Sequence, residues 1–166
     1  MPHNVEIPDY VIERIMAKRG RLHVFDKFDP KKTALVVIDM QNFFVAEVET
    51  ARSICPNINK LAAHLRDTGG TVAWVLMSLA DELGGPSKWP IYHDYFFTPE
   101  KMEAHKDNLT EGAEGQKLYP DLSPEDGDII TNKMRFSAFI QGSSDLDEQL
   151  RARGIENVLI AGTVTN

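Results

Sequence analysis

Asp39 and Lys133 carry opposite charges at places where a folding chain does not leave charge idle. Asp39 closes the apolar, β-branched run "TALVVID" (33–39), and Lys133 closes "DIITNK" (128–133). A carboxylate directly after a buried strand either caps the next helix or serves as a site acid. An ammonium at such a place needs a partner, because burying it unpaired is costly, and Asp39 is the candidate. A third stretch, "GTVTN" (162–166), is small and polar and suits the presentation of backbone N–H groups to an anion. A carboxylate, an ammonium and a donor-rich turn are parts of a hydrolytic site, with the nucleophile missing.

These groups share one crevice only if their strands lie side by side with their carboxyl ends together, which is a property of parallel sheets. "TALVVID", "TVAWVLM" (71–77), "DIITN" (128–132) and "NVLIAG" (157–162) are apolar runs of strand length. Between the first two, Ile54, Ile58, Leu61 and Leu65 recur at helical spacing until Gly69-Gly70. Between the last two, Ser144 and Asp147 open a helix carrying Leu146 and Leu150, and Gly154 ends it. Strands alternating with helices predict an α/β fold, doubly wound, with a mostly parallel sheet, right-handed crossovers and helices on both faces. Ligands of such sheets bind beyond the strand ends. Residues 1–30 read as an arm whose helix (8–18) sets Val11, Ile12, Ile15 and Met16 on one face, packed on the body or on a second subunit. The connection 78–127 is far longer than an ordinary loop, and its aromatics (Trp89, Tyr92, Tyr95, Phe96, Phe97) argue for an ordered lid or an oligomer contact.

Composition narrows the function classes. The chain of 166 residues fits a single domain, and its 42 % hydrophobic content supplies a core. A net charge of −7 points away from nucleic acid and anionic membranes. No apolar run is long enough for a membrane span, and the first residues lack a signal-peptide core. The lone Cys55 excludes an internal disulfide and suits a cytoplasmic protein acting on a small molecule. Its place beside Pro56, at the start of a helix, marks it as a structural thiol. No glycine-rich fingerprint follows a strand, so no dinucleotide cofactor is expected.

Taken in order and spacing, "ALVVIDMQNFF", "NKMRFSAF" and "IAGTVTN" resemble the three signature segments of the isochorismatase-like cysteine hydrolases. The likeness runs from Thr33 to Asn166. It looks closest to the branch acting on ureido or carbamoyl compounds. The resemblance implies a Rossmann-like three-layer fold and an Asp–Lys–Cys triad, with Asp39 and Lys133 as its first two members. The family cysteine follows the Thr-Asn pair after one intervening residue. It would fall two positions past Asn166, so the sequence reads as stopping short of its nucleophile and a longer chain is expected. A non-proline cis peptide of the family maps onto Thr163–Val164 and would aim N–H groups into an oxyanion hole. The implied reaction is cleavage of a C–N bond through a thioester, by a homodimer or homotetramer.

Within that picture Gln41, Asn42, Phe43 and Phe44 are expected on the pocket floor. Arg135 and Ser137 are expected to meet a substrate carboxylate, although a surface charge explains Arg135 equally well. Trp89, Tyr92 and Tyr95 are placed to close over a flat substrate, or to pack in a subunit interface. The metal motif of related nicotinamidases has no counterpart in "MSLAD" (77–81), and His93 and His105 read as lid or surface residues, so no metal is expected. Two other readings stay open. One is an isochorismatase-type vinyl-ether hydrolase using the Asp without the thiol, and the other is a binding protein that keeps the fold without catalysis.

Overall fold

The computed structural model describes residues 6–163. Four parallel strands form one sheet: β1 (Thr33–Ile38), β2 (Thr71–Met77), β3 (Ile129–Lys133) and β4 (Asn157–Gly162), in the order β3-β2-β1-β4. The register sets Ile38 beside Val75 and Gly162, and Met77 beside Lys133, so all four carboxyl ends lie on one rim.

Alternation along the strands feeds two separate cores. Leu35, Val37, Val72 and Trp74 face helix α4 (Cys55–Asp67), which contributes Ile58, Ala62 and Leu65. Two short helices, α2 (Asn42–Val45) and α3 (Glu49–Ser53), extend that layer. Ala34, Val36, Ala73, Val75 and Ile129 face the other way, against Leu146 and Leu150 of α7 (Leu146–Ala152). The predicted α/β architecture is therefore the observed one, with apolar side chains buried on both faces of the central strands. A polar clasp fixes the far rim. The Arg66 guanidinium on α4 grips both oxygens of Asp128 (Nε–Oδ1 3.0 Å, Nη2–Oδ2 2.6 Å), and the Trp74 indole N–H donates to the same carboxylate at 2.7 Å. Helix α7 starts at Leu146, whose N–H donates to the Ser144 hydroxyl at 3.2 Å, while the Asp147 carboxylate pairs with Arg151 instead of reaching back to close a capping box.

The long connection is ordered. It carries α5 (Pro90–Tyr95) and α6 (Pro99–Asn108), each opened by a proline whose missing N–H costs nothing at that position. Its two limbs are tied by the Ala80–Thr110 bridge and by Lys88, which pairs with Asp81 and Glu111. Leu79, Tyr92, Met102 and Leu109 give it a small core continuous with Met77. Helix α1 (Asp9–Arg19) carries the expected apolar residues, of which Val11, Ile12 and Ile15 are half-buried and none is fully buried. Val158 and Ile160 of β4, on the α7 side of the sheet, are exposed.

Candidate active site

At the end of β1 the backbone turns sharply. Asp39 adopts φ 55°, the left-handed region that a non-glycine residue enters at some cost and that collects at functional sites. Three bonds hold it there. Its N–H donates to Val75 O (3.0 Å), the Thr163 hydroxyl donates to Asp39 O (3.1 Å), and the Thr163 N–H donates to Ile38 O (3.1 Å). Gly162 makes this clasp possible. At its φ of 130° a Cβ would stand 2.1 Å from Ile38 O, so any side chain there would push β4 off β1.

The carboxylate of Asp39 meets the ammonium of Lys133 at 3.0 Å, and the side chains of both are largely buried. The remaining Lys133 donors are engaged by Met77 Sδ (3.4 Å) and Arg135 O (3.3 Å). The pairing inferred from sequence is thus present in the fold. Asp39 Oδ2 takes the ion pair, whereas Oδ1 is buried and has no hydrogen-bond partner. Burial lifts the Asp39 carboxyl above its ordinary range, and the Lys133 charge works against that rise without cancelling it. A buried acceptor left open, beside a cation and at a strained turn, has the features of a general base.

Above this pair opens a cavity of about 960 Å³. Asp39, Lys133, Phe44, Ser137 and Thr163 line it, and the long connection contributes Tyr92, Phe96, Phe97 and His105. Residues 78–127 thus form part of its wall. His105, assigned from sequence to the lid or surface, is half-buried with its Nδ1 3.3 Å from the Tyr92 hydroxyl. Burial, aided by Lys101, keeps its imidazole below the ordinary value, hence neutral near pH 7. Nothing in its sequence neighbourhood announced this, because its position depends on the fold of α5 against α6.

Several expected pocket residues serve elsewhere. Gln41 is wholly buried and off the cavity. Its amide donates to Met77 O and Gln116 O and accepts from Met77 N (2.7 Å), which locks the ends of β1 and β2 together. Asn42 donates to Glu114 O at 2.9 Å. Phe43 sits edge-on to His105 as a supporting ring. Trp89 stacks on Tyr92 from outside the cavity at 4.7 Å, and Tyr95 is exposed. Arg135 lies over the Trp89 ring (5.4 Å) and donates to Lys88 O and Met134 O, away from the cavity lining. Cys55 is buried in the α4 core, and burial pushes its thiol up, against a nucleophilic role. Val164, half of the expected cis peptide, lies outside the described residues. Among the described residues no cluster of three metal-binding side chains exists, and no helix is long and apolar enough to cross a membrane.

Residues 33–166 match the isochorismatase domain. Over 155 residues the chain is 32 % identical to ureidoacrylate amidohydrolase of Klebsiella pneumoniae subsp. pneumoniae, an alignment covering 84 % of this chain and 64 % of that protein. The enzyme of that name from Pseudomonas savastanoi pv. phaseolicola is 30 % identical, over 98 % of this chain and 70 % of its own. Among solved structures, N-carbamoylsarcosine amidase from Thermoplasma acidophilum superposes with a TM-score of 0.59 at 25 % identity, covering 79 % of this chain and 67 % of the other. A cysteine hydrolase from Pseudomonas syringae pv. phaseolicola shares the fold with a TM-score of 0.69 at 24 % identity, over 88 % of this chain and 66 % of the other.

Proposed function

The chain belongs to the isochorismatase family, and from that premise and the geometry at Asp39 we infer that it is the base-bearing part of a cysteine amidohydrolase. The substrates proposed are small ureido, carbamoyl or amide compounds, the class named in its relatives' titles. The observation that carries this reading is the unpartnered, buried Asp39 Oδ1 next to an oxygen held by Lys133.

In the proposed reaction Asp39 Oδ1 takes the proton of a cysteine thiol supplied two positions beyond Asn166. The thiolate attacks the substrate carbonyl carbon, and the C–N bond breaks as Asp39 returns the proton to the leaving nitrogen. Asp39 then accepts a proton from water as the water oxygen bonds to the thioester carbon. The C–S bond breaks, and Asp39 returns the proton to the released sulfur. Lys133 keeps Asp39 oriented and favours its ionised form, and its charge lowers the energy of the thiolate. The Val164 N–H, with that of the cysteine, is assigned to the carbonyl oxygen as charge develops there. The support for that assignment is the Thr163 clasp, which holds the residue before Val164 against Asp39.

The test is ammonia release by the full-length protein from a panel of carbamoyl and ureido compounds, set against pyruvate release from isochorismate. Ammonia release that iodoacetamide abolishes is the expected result. Pyruvate release that survives thiol alkylation would replace this reading with the vinyl-ether reaction.

A further inference from the structure

The cavity holds few polar groups, and its only full cation among the described residues is already committed. Lys133 has three N–H donors, and Asp39 Oδ2, Met77 Sδ and Arg135 O receive them. Arg135, the group best suited to a substrate carboxylate, faces Trp89 instead. The neutral imidazole of His105 pairs with Tyr92. Most of the rest of the wall is apolar: Phe44, Tyr92, Phe96, Phe97 and Phe136, in edge-to-face, tilted and stacked contacts, join Ile38, Leu109 and Ile160. A carboxylate entering this space would meet ring faces and the negative charge of Asp39. Among the described residues it would find the neutral Ser137 hydroxyl but no cation free to balance it.

Resting on the amidohydrolase reading, we propose that this site selects an uncharged, flat, apolar amide or carbamoyl compound and disfavours the carboxylate-bearing substrates that the ureidoacrylate enzymes' name implies. The rings take the planar body of the substrate by edge and face contact. The Tyr92–His105 pair, which with Ser137 interrupts that apolar wall, receives its hydrogen-bonding edge.

The experiment measures binding of a matched pair, phenylacetamide and its para-carboxylated analogue, to the full-length protein by calorimetry. Phenylacetamide is expected to bind about tenfold tighter, because the carboxylate gives up hydration beside Asp39 without gaining a counter-charge. Tyr92→Phe should weaken phenylacetamide by several-fold while leaving the unfolding temperature near that of the wild type. Equal or tighter binding of the carboxylated analogue, or no binding of phenylacetamide, overturns the proposal. Binding in the expected order with no ammonia released from any amide leaves the selectivity standing and sinks the catalytic reading instead, so the two failures are distinct.

Discussion

Asp39 spends backbone strain and carboxylate burial on one open oxygen, so its replacement separates chemistry from folding. Asp39→Asn keeps the size and hydrogen-bonding reach of the side chain and removes the base. Turnover should fall by about 10² or more, the usual scale for losing a general base, with far-UV dichroism unchanged. Near-normal turnover would reduce Asp39 to a turn residue. Lys133 has a signature of its own. Burial holds the Asp39 carboxyl above its ordinary range and Lys133 pulls it back down. A base acts only when ionised, so activity rises with pH through the carboxyl's own value. Lys133→Met removes the lowering influence, and the ascending limb of the kcat/KM profile should move to higher pH. A limb that stays put would confine Lys133 to a structural ion pair.

At the scale of elements, the approach of β4 to β1 depends on one missing side chain. Gly162→Ala would bring a Cβ within 2.1 Å of Ile38 O. Strand β4 must then move away, which breaks the Thr163 clasp on Asp39. The expected outcome is a lowered unfolding temperature together with activity loss out of proportion to it. The opposite rim gives a pH-dependent counterpart. Burial works to raise the Asp128 carboxyl, but the Arg66 guanidinium, the Trp74 N–H and the Glu125 N–H outweigh it and leave the group below its ordinary value. A depressed folded value stabilises the fold above the unfolded value, about 3.9, and that contribution is lost as pH falls through the folded value. Chemical denaturation of wild type and Asp128→Asn should therefore differ most near neutrality and converge below about pH 4. A gap that is flat with pH would show that packing, not charge, holds this rim. The strands and α4 were legible in the sequence because period and burial coincide there, and Asp39 and Lys133 because a charge ending an apolar run is conspicuous. Gln41 and Arg135 bond away from the pocket expected for them, Gln41 to Met77 and Gln116 and Arg135 to Lys88 and Met134. Where their side chains point is decided by how the end of β2 and the connection 78–127 pack, and no periodic pattern in the sequence reports it.

Seen whole, the molecule is a parallel sheet with the Arg66–Asp128 clasp at one rim and the Asp39–Lys133 pair at the other, where α5 and α6 contribute to the cavity wall. The net charge of −7 is spread over a surface that still exposes apolar residues on α1 and β4. The strand order β3-β2-β1-β4 also carries a consequence in time. The β1–α4–β2 unit closes locally, whereas Thr163 must find Asp39 across 124 residues, and the entropy of closing a loop grows with its length. The framework should form first and the reactive corner last. Pulse-labelled hydrogen exchange during refolding can read this directly. The Asp39 amide reports the joining of β1 to β2 through Val75 O, and the Thr163 amide reports the arrival of β4 through Ile38 O. Protection at Asp39 is expected to precede protection at Thr163, and simultaneous protection would contradict the order. A nascent chain of this protein would then carry a formed sheet but a chemically silent Asp39 until the segment ending in Thr163 had been made and had docked.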